Sequence, residues 1–300
     1  MPNTISCFKP ISMPVILITG AGGQLGNEIR VVSKSFYGYD FIFTDIDTLD
    51  ITNAEETSAY IAKNRPDWII NCAAYNLVDK AESEPEAAMI INATAVKNIT
   101  DSIKGSECRF IHVSTDYVYG GMANIPYNEL SQANPLSSYG QSKFAGEKYA
   151  LVHHGSMVIR TSWLYSSFGS NFVKTILRHA KEKESLRVVF DQTGTPTYAA
   201  DLAQAIMHIV SSVIRNHFAL NAGIYNYSNE GVCSWFDFAT AIVSEAELKC
   251  RVEPCLSKDY PSAAVRPFYS VMDKTKIKES YDLVIPHWSV SLKKCMKLLK

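Results

Sequence analysis

The strongest constraint on the fold is a junction near the N-terminus. An uncharged apolar run, VILIT at 15–19, opens straight into GAGGQLG at 20–26 and then into a segment with helical spacing. A chain that enters a tight glycine turn from a strand and leaves it as a helix is the first βα unit of a parallel sheet, and the unit then repeats. Short β-rich runs at 14–19, 40–45, 68–71, 109–114 and 157–161 alternate with helical patterns at 24–34, 54–64 (behind a Thr52 cap), 85–104 and 139–151. The runs are continuously apolar rather than alternating, as strands are when helices cover both sheet faces. The expected fold is α/β, a Rossmann-type doubly wound parallel sheet. After about residue 170 the repeat loosens into helices at 171–184, 199–214 and 234–246, the last capped by Ser234, with short strands at 187–190 and 224–227.

Each glycine of the loop has a mechanical reason. Gly20 permits the tight turn, Gly23 lets backbone N–H groups approach a pyrophosphate, and Gly26 lets the helix pack close on the sheet, its N-terminal dipole favouring an anion. A glycine triplet alone is a weak signal, but this one sits between strand and helix, and an acidic residue, Asp45, ends the second strand. The combination reads as a dinucleotide site. A carboxylate at Asp45 would bond the adenosine 2′-hydroxyl and repel a 2′-phosphate, which taken alone favours NADH over NADPH; the plainer reading is that it caps the following loop. The expected organisation is a dinucleotide-binding unit over 13–170 and a smaller α/β substrate lobe over 171–300. The two interleave, with segments 196–228 and 267–280 returning to the first unit.

YGQSK at 139–143 places a phenol and an ammonium four residues apart, on one helix face. In a chain with 16 tyrosines such a pair arises by chance, so its placement decides. It follows the fourth strand and its Ser114-Thr115-Asp116 end, where open α/β sheets bind their ligands. A nearby Lys143 ammonium would pull the Tyr139 phenol down toward a working pKa, and a hydroxyl from Thr115 or Ser114 would hold the reacting oxygen. Together these make a carbonyl-reducing site.

Other classes find no support. With 29 basic against 30 acidic residues there is no electrostatic footprint for nucleic acid and no basic arm for a membrane, and no apolar run approaches the ~20 residues of a span. Seven scattered cysteines lack metal-ligand spacing and read as reduced thiols of a cytoplasmic protein. Residues 1–12 lack the layout of a secretory signal and read as a disordered extension, with Met13 a candidate start testable by mass spectrometry. His153-His154 read as a solvated helix end, ESEPE at 82–86 as an acidic helix start, and the C-terminal lysines as a solvated face.

These features resemble the extended short-chain dehydrogenase/reductases, and further segments narrow the resemblance to the dTDP-4-dehydrorhamnose reductase family. NCAAYNLVDKAE (71–82) resembles that family's NAAAxTxVDKAE. VSTDYVY (113–119) is similar to STDYVF, RTSW (160–163) to RTSW, and Asn171-Phe172 to NNF; DQTGTPT (191–197), Arg266-Pro267 before Ser270, and IPHW (285–288) complete the match over about 14–298. The resemblance implies NADPH- or NADH-dependent reduction of the C4 keto group of dTDP-4-dehydro-6-deoxy-L-mannose, in a cytoplasmic monomer or homodimer. By it, Gly20, Gly23, Gln24, Leu25 and Gly26 would hold the pyrophosphate, Asp45, Asp50 and Ile51 the adenosine, and Ala73, Ala74 and Tyr75 the cofactor's flank. Thr115, Asp116, Trp163 and Arg266 would contact the dTDP-sugar. Tyr139 would protonate the C4 oxygen, and Lys143 would bind the nicotinamide ribose and tune Tyr139.

Four departures from the family pattern stand out. Asn76 replaces a threonine, Tyr119-Gly-Gly121 replaces Phe-Asp-Gly, and Val265 replaces the first of two arginines. Some members bind Mg²⁺ through a glutamate where this chain has Ala200, so no metal is expected. Two other readings share the fold. One is a non-catalytic regulatory subunit of the methionine adenosyltransferase type, disfavoured by the intact Thr115, Tyr139 and Lys143. The other is a nucleotide-sugar dehydratase or epimerase; dehydratases follow the threonine with an acidic pair, whereas Tyr117 follows Asp116 here.

Overall fold

A computed structural model describes residues 13–216 and 220–299, so the expected extension over 1–12 lies outside the described residues. In chain order the strands are β1 (Val15–Thr19), β2 (Asp40–Thr44), β3 (Trp68–Asn71), β4 (Arg109–Thr115), β5 (Ser156–Thr161), β6 (Leu164–Tyr165), β7 (Ser185–Val189), β8 (Thr193–Gly194), β9 (Thr197–Tyr198), β10 (Gly223–Asn226), β11 (Cys233–Ser234) and β12 (Arg251–Cys255). The helices are α1 (Gln24–Ser33), α2 (Ala54–Asn64), α3 (Val78–Ala81), α4 (Pro85–Met89), α5 (Ala95–Ser102), α6 (Ser138–Ala150), α7 (Phe172–Glu182), α8 (Ala199–Asn216), α9 (Trp235–Glu245), α10 (Thr275–Tyr281) and α11 (Trp288–Leu299).

Six strands form the expected parallel sheet, in the order β10-β5-β4-β3-β1-β2. Alternate residues of each strand point to opposite faces, and both faces are apolar. Ile16, Ile18, Ile70, Ile111 and Ile159 pack against Leu25 and Ile29 of α1 and Leu202, Ile206 and Val210 of α8. Their neighbours Leu17, Ile69, Phe110 and Val158 pack against Ile61 of α2 and Val96 and Ile99 of α5. Each such side chain contributes about 1.5–3 kcal/mol of burial, which is why the strands read as unbroken apolar runs. Because β2 and β3 flank β1 on opposite sides, the topological switch lies at the C-terminal ends of β1 and β3, where this sheet architecture opens a crevice. A second core joins α7, α9 and α11 through Val173, Phe238, Ile242 and Leu292, beside the parallel β7–β12 pair.

Several local expectations need correcting. The cap of α2 is Asn53, whose side chain accepts from the N–H groups of Glu55 and Glu56; the Thr52 hydroxyl instead donates to Asp50. The single helix expected over 85–104 is α4, a π-turn at Ile90–Thr94 and α5. At the π-turn, the Asn92 amide leaves the helix to bond both the N–H and the carbonyl of Tyr75, and also the Ser142 hydroxyl. His153 is buried with Nε2 2.6 Å from the Cys108 carbonyl, so only His154 is a solvated end. Glu82 does not serve its own helix: its carboxylate accepts from the N–H and hydroxyl of Ser138, at the start of α6.

Candidate active site

The glycine loop lies at the switch point. Gly20 adopts φ +66°, and a Cβ there would sit 2.5 Å from the Ala73 backbone nitrogen, so only glycine lets β1 turn beside β3. At Gly26 a Cβ would meet the Gly20 carbonyl at 2.5 Å, which fixes how closely α1 approaches the turn. Gly23 is the N-cap of α1; no side chain caps this end and its first turn carries no acid, so its N–H groups point outward as anion donors. The Leu25 side chain is core, leaving its backbone as the part that faces the loop.

Beside this loop opens a cleft of about 500 Å³ lined by Thr19, Gly20, Gly23, Asp45, Asp50, Ile51, Ala73 and Ala74. The sequence pattern named all of these except Thr19. It missed Ile46, Leu49 and Cys72, which line the same cleft; their only signal is adjacency to Asp45, Asp50 and Ala73. Tyr75 does not line it: its phenol donates to Glu84 at 2.7 Å, and its ring packs in a cluster with Tyr139. Asp45 makes the local contacts of the plainer reading. One carboxylate oxygen accepts from Gly22 N–H at 2.7 Å and the other from Ile46 N–H at 2.8 Å, which fastens the loop after β2 to the glycine loop at the cleft's edge.

Tyr139 and Lys143 sit in the first turns of α6, whose Ser137 cap accepts from Gly140 N–H. Both are buried, at 8% and 2% exposure. Burial pushes the Tyr139 phenol up to about 12, against the pull of the Thr115 hydroxyl. This corrects the expectation that Lys143 draws the phenol down: the Lys143 ammonium donates to the Val113 carbonyl of β4 at 2.7 Å. Thr115, Asp116 and burial, rather than the lysine, set the phenol's acidity. Lys143 is itself brought down to about 8 by burial, opposed by the Glu147 carboxylate.

Behind Lys143 lies a buried network that the motif reading did not reach. Arg160 of β5 donates Nε and Nη2 to Glu147 at 2.9 and 2.6 Å and Nη1 to the Tyr119 hydroxyl at 3.0 Å, while Ser114 donates to Glu147 at 2.6 Å. The available signal was an arginine inside the apolar run MVIRT. At the end of β4, burial raises the Asp116 carboxyl to about 7. One of its oxygens accepts from Thr115 at 3.1 Å. The buried Ser270 hydroxyl lies beside this carboxyl and pulls it down against the push of burial.

Trp163, at φ +47°, follows β5 and stacks on Trp235 with ring centroids 3.6 Å apart. Gly194 leaves room for it, since a Cβ there would be 2.7 Å from the indole and 2.6 Å from Ser270 Oγ. Trp235 escaped sequence reasoning; its place at the first turn of α9, behind the Ser234–Asp237 capping box, was the usable signal. Arg266 makes two parallel bonds to Asp79 at 2.9 and 2.8 Å, and the guanidinium holds the Asp79 carboxyl below its usual range. The six described cysteines are free.

The sequence matches the family described as RmlD substrate binding domain over residues 13–300. It is 38% identical over 288 residues to the dTDP-4-dehydrorhamnose reductase of Aggregatibacter actinomycetemcomitans, covering 94% of this chain and 98% of that one. The crystal structure of the Bacillus anthracis dTDP-4-dehydrorhamnose reductase in complex with NADP superposes with TM-score 0.89 at 38% identity, covering 95% and 99% of the two chains. The Clostridium acetobutylicum enzyme of the same name gives 0.89 at 37%, with the same coverage. A Bacillus anthracis dTDP-glucose 4,6-dehydratase, at 18% identity and TM-score 0.78, shares the fold. With the match running over nearly its whole length, the chain belongs to the dTDP-4-dehydrorhamnose reductase family.

Proposed function

We propose that the chain reduces the C4 keto group of dTDP-4-dehydro-6-deoxy-L-mannose to give dTDP-L-rhamnose, using NADPH or NADH. The observation that carries this is the buried Tyr139 phenol acted on by the Thr115 hydroxyl at the end of β4, with Lys143 one turn on and the glycine-loop cleft alongside. The residues present fit a dinucleotide: an uncapped helix N-terminus, a cradle that a Cβ at Gly20 would fill, and a cleft reaching Asp45. When bound, the nicotinamide supplies a hydride to C4.

The chain's residues supply the rest. Thr115 and Tyr139 bracket the carbonyl oxygen; Tyr139, protonated at neutral pH, gives its proton to that oxygen as negative charge develops there. Lys143, mostly charged at pH 7, is the group for the nicotinamide ribose hydroxyls. The buried Asp116 carboxyl and the Ser270 hydroxyl beside it offer polar contacts for a sugar hydroxyl, and Trp163 braced by Trp235 offers a flat wall. Arg266 would serve a nucleotide phosphate while tied to Asp79. In this reading the six-stranded unit carries the cofactor and the second core the sugar nucleotide, in a cytoplasmic monomer or homodimer. The balanced charge supports no nucleic-acid partner, and no helix among the described residues is long and apolar enough to cross a membrane.

The test is loss of absorbance at 340 nm with the 4-keto sugar nucleotide, run with NADH and NADPH in parallel. Stoichiometric oxidation with formation of dTDP-L-rhamnose is expected. No oxidation by folded protein that binds the cofactor would refute the proposal.

A further inference from the structure

Gln24, the first residue of α1, touches the second lobe, and hydrogen-bond logic fixes which way its amide faces. Asn171 is the N-cap of α7, so its Oδ1 must accept from Lys174 N–H, as it does at 3.2 Å. That leaves its Nδ2 as a donor, and Nδ2 donates to Gln24 Oε1 at 2.9 Å and to the Ser166 carbonyl at 2.8 Å. Gln24 must therefore present its oxygen to Asn171, which turns its Nε2 donor the other way. That nitrogen has no hydrogen-bond partner among the described residues, and Gln24 is the residue that opens the uncapped N-terminus of α1. The neighbouring loop is clamped on the same helix one turn further along, where Ser166 donates to Glu28 at 2.6 Å. Gly169, at φ +62°, packs against Gln24 so closely that a Cβ would be 3.0 Å from Gln24 Cγ.

We propose that Asn171 is a positioning residue of the cofactor site: by taking the Gln24 oxygen it aims the Gln24 amide N–H at the dinucleotide pyrophosphate. The phosphate site is then completed across the two lobes, since Asn171 opens the helix whose Phe172 packs on Trp235 at 4.5 Å. This rests on the reading of the glycine loop as a dinucleotide site.

The test is a set of dissociation constants for ADP-ribose, which carries the pyrophosphate, and for adenosine, which does not. They are measured by calorimetry on wild type, Asn171→Ser, Gln24→Ala and the double variant. Serine keeps the cap of α7 but is too short to reach Gln24, so thermal stability should change little. Asn171→Ser should weaken ADP-ribose about tenfold, the size of a hydrogen bond to a charged group, and leave adenosine unchanged. In the Gln24→Ala background the same change should cost nothing further. Equal ADP-ribose binding by wild type and Asn171→Ser would overturn the inference, as would additive losses in the double variant or an equal loss for adenosine. Failure of folded wild type to bind ADP-ribose at all would overturn the dinucleotide reading and this inference with it.

Discussion

Replacing Glu147 by glutamine removes one charge from a buried pair and reads out twice, once in stability and once in the pH profile. The Glu147 and Arg160 side chains are 1% and 2% exposed, and their closest contact is 2.6 Å. Glutamine keeps the shape but leaves the Arg160 guanidinium buried without its counter-charge, which costs about 3–5 kcal/mol. For 300 residues and an unfolding entropy of about 2.1 cal/mol/K per residue, that lowers Tm by about 5–8 °C. The second readout is Lys143. Burial brings its ammonium down to about 8, and Glu147 is the charge that opposes the fall. Without it the ammonium is lost at lower pH, so the alkaline limb of kcat/KM should move acidward by about one pH unit or more. The assay is 340 nm turnover across pH 6–10 beside a melting curve. Adding Arg160→Met should recover stability, because no unpaired charge remains, without returning the limb. A limb that stays in place while Tm falls would refute the electrostatic link to Lys143. An unchanged Tm would refute the account of the pair.

Three further outcomes follow. Tyr139→Phe should lower kcat about 10²-fold or more at unchanged cofactor affinity, checked by single-turnover kinetics and cofactor titration. Gly20→Ala puts a methyl 2.5 Å from the Ala73 nitrogen at φ +66°, so it should lower Tm and weaken cofactor binding together; a cofactor affinity equal to wild type would contradict the tight-turn argument. Asp116, raised by burial to about 7, holds its proton more tightly folded than unfolded. The stability it contributes is complete below about pH 4 and lost as pH rises through about 7, so wild type should lose unfolding free energy relative to Asp116→Asn over that window in denaturant titrations.

What the sequence disclosed is what local sterics and helix periodicity encode. The glycine turn announces itself because Gly20 and Gly26 must each lack a side chain, and Tyr139 and Lys143 share a face by spacing alone. The layering of the sheet was legible because both faces are apolar. Contacts made by the assembled fold were not. Arg266 and Asp79 are 187 residues apart, so nothing in either neighbourhood says that a carboxylate already holds the guanidinium. Trp163 and Trp235 meet only after β5 and α9 are placed. The π-turn at Ile90–Thr94 arises from Asn92 bonding to Tyr75, a tertiary contact that helical spacing across 85–104 cannot register.

The acidity of Tyr139 shows why this division matters for chemistry. Spacing alone makes Lys143 the tuning charge and points to a phenol lowered toward neutrality, which suits a group that must take a proton from an alcohol. Burial, which spacing does not encode, sends the phenol up to about 12 and turns the ammonium to the Val113 carbonyl. For the proposed reduction the raised value is the useful one. At neutral pH essentially every molecule then holds the proton to be given, and the alkoxide that forms at C4 is still the stronger base, so transfer runs downhill. A phenol near neutrality would leave part of the enzyme without its proton before the keto sugar arrives. The Tyr-x-x-x-Lys spacing therefore fixes which groups share a face, and the depth at which α6 packs against β4 sets how firmly the phenol keeps its proton.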